Sequence, residues 1–245
     1  MEIRTFDALG STNQYCKLLD LKQTEEFTII WALSQSEGIG QRGNRWESEA
    51  GKNLTFSIIL HPTFLSPQHQ YLLTKVLALG ISDYLIDLLS NEAIHIKWPN
   101  DIYVDKRKIC GILVENHIGQ KFESAVCGIG FNVNQSSFSD WIPNPISLSQ
   151  ITGMEYDLQT VLEALVTAIS ERYNQLREGL IDRLDKEYLS RLLYLNERHT
   201  YRYLGEEICA TIIGVNAFGH LLLQTDDGKT IVAQMKEIEL LLTGE

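Results

Sequence analysis

Lys97-Trp98-Pro99-Asn100-Asp101, followed closely by Lys106-Arg107-Lys108-Ile109-Cys110-Gly111-Ile112-Leu113-Val114-Glu115, is the stretch on which the fold turns. Proline drives the residue before it towards extended backbone, so a strand running from Ile94 ends at Trp98 in a rigid corner that presents polar groups. A lysine, an amide and a carboxylate at such a corner suit phosphate and metal-phosphate handling, although a turn around a packed tryptophan would read the same way. Behind it, three cations precede a strand that is apolar on both faces, with Gly111 leaving space for a close neighbour. Basic residues in a hairpin turn are usually just solvated. A lysine at the mouth of a buried strand can instead hold a phosphate as a compact point charge.

Outward from this pair, the next β-rich segment runs from Ser124 to Val133 and carries Gly128-Ile129-Gly130-Phe131-Asn132. Two glycines there remove side chains where another group must fit, and Asn132 offers both donors and acceptors. Upstream, Leu54 to Leu60 and Phe27 to Ala32 read as buried strands and Ile3 to Phe6 as a first strand. Ser11 or Thr12 is placed to cap a helix reaching Leu18 and Leu19. Between the buried strands lies a long polar loop, Ser36 to Lys52. There Gly38, Gly40 and Gly43 can bring backbone amides to an anion beside Arg42 and Arg45. Leu72, Val76, Leu79 and Ile86 mark one face of a helix, and Leu158, Leu162, Leu165, Ile169, Tyr173 and Leu176 mark another. Near Arg198 the texture changes to short β-like runs: Tyr201 to Leu204, Ile208 to Val215, Leu221 to Gln224, Ile231 to Ala233 and Ile238 to Leu242. Glycine turns separate them, as in a small β-barrel. The division expected is residues 1–195 and 196–245.

Composition narrows the function classes. The chain has 245 residues, 44% of them hydrophobic, and a formal net charge of −11 from 32 acidic and 21 basic residues. No basic block offsets that charge, so nucleic acid is not an expected partner. Cys16, Cys110, Cys127 and Cys209 stand far apart with no C-x-x-C pair, which argues for reduced, buried thiols over a zinc or redox site. No run approaches the ~20 apolar residues of a membrane span, and the first residues lack the apolar core of a signal peptide. A cytoplasmic protein is expected.

Taken together and in order, these segments resemble the biotin protein ligase family. Gly10-Ser11-Thr12-Asn13 resembles its S-T-N element and Gln35 through Trp46 its glycine-arginine loop. Lys97 to Asp101 resembles its K-W-P-N-D signature, Lys108 to Glu115 its R-K-x-x-G-I-L-V-E strand, and Gly128 to Asn132 its G-x-G-x-N strand. Pro145 to Leu148 matches a less specific element. The resemblance implies an α+β catalytic domain, a mixed sheet with helices similar to class II aminoacyl-tRNA synthetases, followed by an SH3-like barrel. It implies activation of biotin with ATP and Mg²⁺ to biotinyl-adenylate, then transfer to a lysine of the biotin carboxyl carrier domain of a biotin-dependent carboxylase. A homodimer is compatible with it. The first family element begins within the first dozen residues, so a ligase without a DNA-binding repressor domain is expected.

Carried over residue by residue, the resemblance implies that Ser11, Thr12, Asn13 and Gln35 bind the ureido end and neighbouring parts of biotin. The loop residues Gly38, Ile39, Gly40 and Gln41 would line the biotin carboxylate and phosphate, and Lys108 would bridge those two anions as the catalytic cation. Arg42, Trp46, Lys97, Asn100, Asp101 and Asn132 would serve the nucleotide, with Asp101 acting on the metal or on a neighbouring cation; the metal ligands stay unassigned. The family loop usually reads G-R-G-R-x-G-R. Here Ile39, Gln41 and Asn44 stand at the arginine positions, with Arg42 and Arg45 one position out of register, which predicts a weaker grip on the adenylate. Lipoate or octanoate transferases resemble the same catalytic fold, but an intact K-W-P-N-D with the R-K strand speaks for biotin. A non-catalytic sensor of biotinyl-adenylate has only the missing arginines in its favour.

Overall fold

The computed structural model describes residues 2–90 and 93–241. In chain order the elements are β1 (Glu2–Phe6), α1 (Thr12–Lys17), β2 (Thr28–Ala32), β3 (Leu54–Leu60), α2 (Tyr71–Leu88), β4 (Ile94–Lys97), β5 (Asp101–Val104), β6 (Arg107–Ile118) and β7 (Phe122–Phe131). They continue with α3 (Leu148–Thr152), α4 (Leu158–Arg177), α5 (Ile181–Ser190), β8 (Arg198–Tyr203), β9 (Glu206–Val215), β10 (Leu221–Thr225), β11 (Thr230–Ala233) and β12 (Ile238–Leu240). Strands β1 to β7 form one mixed sheet in the order β1-β2-β3-β7-β6-β5-β4, parallel only between β1 and β2. The last five strands form a second, antiparallel sheet in the order β11-β10-β9-β8-β12. The α+β architecture expected from the sequence is the one observed. None of the described helices is long and apolar enough to cross a membrane.

The period-two alternation of a strand explains how the central strands serve two covered faces. On β3, Leu54, Phe56, Ile58 and Leu60 join the main core, which also holds Leu77 and Ile81 of α2 and Leu165 and Ile169 of α4. Ile59 points to the opposite face and packs with Cys16, Ile30 and Val126 beneath α1. Strand β6 follows the same logic. Cys110 and Ile112 are buried in the main core, whereas Gly111 and Leu113 face a cavity. Both faces are covered, one of them by the walls of a site. Arg172 of α4 joins the helices, with Asp83 of α2 at 2.5 Å on one side and Glu187 of α5 on the other.

Several local expectations change. Ser11 occupies the N-cap position of α1 but makes no capping bond; the Thr12 amide donates instead to Gln35 Oε1 at 2.7 Å. The helix ends at Lys17, and Leu18 is 83% exposed. Ile86 leaves the buried face of α2 and is 42% exposed. The residues between the Lys97–Asp101 corner and the cationic turn form a strand of their own, β5, and α3 and α5 are additional helices. Strand β12 matches the Ile238 run as far as Leu240, while Leu242 lies outside the described residues.

The two sheets meet at the Trp98–Pro99 corner. Trp98 Nε1 donates to the Gly219 carbonyl between β9 and β10 at 2.9 Å, and the Tyr71 hydroxyl donates to the Pro99 carbonyl at 2.9 Å. Gly219 has φ +85°, and a Cβ there would overlap the Tyr71 ring.

Candidate active site

A cavity of about 630 Å³ lies on the α1 face of the large sheet, closed on one side by the second sheet. That volume falls within the ~300–1,000 Å³ of small-molecule sites. Its walls come from the turn before α1 (Ser11, Thr12, Asn13), from Gln35, from the glycine loop, from the β4–β5 corner and from β6 and β7. Tyr201, Ile212, Leu221 and the run Ile238 to Leu241 add a wall from the second sheet. Sequence reasoning had not placed those residues in a site, because nothing in a short apolar β-run distinguishes core from cavity wall.

The turn before α1 is held from below. Asn13 Nδ2 donates to Glu115 Oε2 at 2.8 Å, and Lys17 Nζ pairs with Glu115 Oε1 at 2.7 Å. The Ser57 hydroxyl of β3 lies 2.6 Å from Asn13 Oδ1 and 2.7 Å from Thr12 Oγ1. Ser57 is fully buried. Its one available signal in the sequence is that it is a polar residue inside the apolar run of β3. The room read at Gly128 belongs to Asn13, whose side chain a Cβ at that position would overlap.

The glycine loop folds as a small hairpin. Ile39 pairs with Arg45, the Trp46 amide donates to the Gly38 carbonyl at 2.9 Å, and a 3₁₀ turn spans Gln41–Gly43. Gln41 reaches the second sheet, with Nε2 3.3 Å from Met235 Sδ. Ile39, Gly40, Gln41, Asn44, Arg45 and Trp46 all line the cavity. Gly38 is buried behind it, where a Cβ would run into the Trp46 carbonyl. The Arg42 side chain lies outside the described residues. The Trp46 indole fills the room left by Gly111 and Gly130, two paired residues of β6 and β7. Its buried Nε1 has no hydrogen-bond partner among the described residues.

Three charged groups, Lys97, Asp101 and Lys108, line the same cavity. Lys108 Nζ is 2.7 Å from Asp101 Oδ1 and 5.5 Å from the centre of the Trp46 ring. Asp101 is thus ion-paired with Lys108. Lys97 Nζ sits over the Tyr103 ring, 3.3 Å from its hydroxyl. Burial pushes the Lys97 ammonium below the usual lysine range; Asp101 and Glu239 oppose that shift and Lys108 adds to it. Asn100 lines the cavity, but its amide donates to the Ile112 carbonyl at 2.5 Å. Asn132 stands behind the wall, donating to the Ile146 carbonyl at 3.0 Å and thereby fixing the chain that follows β7.

Two ammonium groups, a carboxylate, loop amides and an aromatic face around one cavity can bind a nucleotide phosphate next to a second anion. Among the described residues no three His, Cys, Asp or Glu side chains converge as a metal site. This donor set fits a divalent cation that arrives on the substrate's phosphates, with most of its shell supplied by phosphate and water.

Comparison with known proteins bears on what the cavity holds. Residues 5–132, more than half of the chain, match the biotin/lipoate A/B protein ligase family. The bifunctional ligase/repressor BirA of Escherichia coli K12 is 30% identical over 236 residues, covering 91% of this chain and 70% of that protein. The biotin–[acetyl-CoA-carboxylase] ligase of Paracoccus denitrificans is 27% identical over 213 residues, covering 82% of this chain and 87% of its own. The structure of the Aquifex aeolicus biotin protein ligase in complex with biotin and ATP superposes with a TM-score of 0.82 at 27% identity, covering 98% of each chain.

Proposed function

Because the chain belongs to the biotin/lipoate A/B protein ligase family, we infer that its cavity is that of an ATP-dependent biotin protein ligase. The carboxylate of biotin attacks the α-phosphorus of ATP, a C–O–P anhydride forms, and pyrophosphate leaves. An acceptor lysine amine then attacks the anhydride carbonyl, forms the amide with loss of its proton, and releases AMP. The acceptor class is the biotin carboxyl carrier domain of a biotin-dependent carboxylase, as in the enzymes named for acetyl-CoA carboxylase. Biotin and ATP are the substrates, ATP entering as its Mg²⁺ complex.

The observation that carries this reading is the convergence of Thr12, Gln35, the glycine loop and Lys108 on one cavity. Two anions must come within bonding distance, so preorganised positive charge is the main requirement. We assign that role to Lys108, held by Asp101 and screened from water on one side by Trp46. Ser11, Thr12, Asn13 and Gln35 are assigned to the ureido end, and Ile39, Gly40 and Gln41 to the carboxylate and phosphate. Trp46, Lys97, Asn100 and Asp101 are assigned to the nucleotide, as is Arg42. Gly38 and Asn132 act through the loop and the strand end that they position. The division into residues 1–195 and 196–245 is proposed in the same sense, the second unit closing the cavity. A cytoplasmic location and a partner set without nucleic acid suit a chain of net charge −11.

Purified protein with Mg-ATP, biotin and a carrier domain should give one biotinylated lysine and biotin-dependent exchange of pyrophosphate into ATP. Labelling with lipoate in place of biotin would sink the assignment; binding of biotinyl-adenylate with neither exchange nor transfer would favour the sensor. Arginine at position 39 should change retention of the adenylate by only about two- to threefold, since Ile39 is 40% exposed at the rim and a cation there is screened.

A further inference from the structure

Resting on the ligase reading, we propose that Tyr71 of α2 is a positioning residue for the nucleotide half of the site, its hydroxyl fixing the Lys97–Asp101 corner through the Pro99 carbonyl. The corner carries Lys97, Asn100 and Asp101, and Asp101 holds Lys108 at 2.7 Å. Its placement therefore sets both ammonium groups of the cavity. From one side β6 grips it: the Ile112 amide donates to the Asn100 carbonyl at 3.0 Å, and the Asn100 side-chain amide donates to the Ile112 carbonyl at 2.5 Å. Proline has no N–H, so the carbonyl is the only backbone hydrogen-bonding group that position 99 offers. That carbonyl receives the Tyr71 hydroxyl at 2.9 Å.

The two buried tyrosines of this cluster are not equivalent. The hydroxyls of Tyr71 and Tyr188 lie 3.0 Å apart, and both residues are buried. A carbonyl has no proton to give, so the one proton of Tyr71 lies on the Pro99 contact and Tyr188 supplies the proton between the hydroxyls. Dependence runs one way, from Tyr71 to the corner, with Tyr188 behind. Lys75, paired with Asp185 of α5 at 2.9 Å, lies 5.8 Å from the centre of the Tyr71 ring and 5.3 Å from that of Tyr188, a cation–π contact that steadies both rings. The Tyr71 ring also backs Gly219, whose carbonyl receives Trp98 Nε1. One side chain thus registers α2 against the corner and against the turn of the second sheet.

The test is biotin-dependent pyrophosphate exchange by the full chain, with KM read for each substrate and the urea midpoint measured beside it. Tyr71→Phe keeps the ring but leaves the Pro99 carbonyl without its donor, and should raise the KM for ATP about tenfold. The KM for biotin should stay near wild type, because the turn before α1 and Gln35 do not rest on the corner. Tyr188→Phe removes the same group from the same cluster but leaves the Tyr71 proton on Pro99, so both KM values should stay near wild type. Leu77→Ala, in the main core on the same helix, should lower the urea midpoint more than either change and likewise spare both KM values. Tyr71→4-aminophenylalanine, which restores an N–H donor, should bring the KM for ATP back. Equal rises in Tyr71→Phe and Tyr188→Phe, or a KM for ATP that follows the urea midpoint across the variants, overturn the positioning role and leave the ligase reading standing. Wild-type protein with no biotin-dependent exchange overturns both.

Discussion

Lys108→Ala should slow formation of biotinyl-adenylate by on the order of 10² to 10³, the usual cost of losing one preorganised group that meets charge as it develops. The ammonium stands 2.7 Å from Asp101 and over the Trp46 ring, so its position is set before either substrate arrives and little reorganisation remains for the reaction itself. Removing it also leaves the Asp101 carboxylate facing incoming phosphates, which adds repulsion to the lost attraction. Both effects act where a carboxylate and a phosphate are forced together, so the loss should appear in single-turnover adenylation more than in biotin affinity. An alanine variant as fast as wild type would assign the reaction to another cation, and Lys97 would be the first to examine.

Gly130→Val should raise the KM for ATP by on the order of 10- to 10²-fold, the equivalent of one lost aromatic stacking platform of ~1–3 kcal/mol. The side chain would need the space in which the Trp46 indole lies. Gly130 belongs to the middle of the sheet, paired with Gly111 and Thr55, whereas Trp46 belongs to a loop, so the indole is the part that gives way. The urea midpoint should move little compared with the kinetic change, because the displaced ring is on the cavity side and not in the main core. A variant with unaltered KM would show that Trp46 does not take part in nucleotide binding.

How much could be read from the residues alone depends on the range of the interaction. Strand β3 was delimited correctly because a run of strand-forming residues, mostly apolar and bounded by Asn53 and His61, has a local cause. Strand β5 was hidden because Asp101 to Val104 sits between two motifs that both read as turns. The glycines of β6 and β7 announced that something must come close, but only the fold shows that Trp46 and Asn13 are the occupants. Ser11 was the reasonable capping residue; Gln35, far along the chain, takes the first amide of α1 instead. The Lys108 site was legible as chemistry, since the cations, the amide and the carboxylate lie within a dozen residues. Ser57 and Glu115 were not read as a pair, because a serine in a strand and a glutamate at a strand's end acquire meaning only when β3 and β6 bring them to the same side chain.

The contact of Trp98 with the Gly219 carbonyl bears on how such a protein can diverge. The bond is made to backbone, so the side chains flanking Gly219 are free to drift, while Gly219 itself is constrained by its φ of +85° and by the Tyr71 ring. A C-terminal segment inherited from a distant relative by recombination would therefore have to bring a glycine at that turn, as well as the apolar wall that Tyr201, Ile212, Leu221 and Ile238 give the cavity.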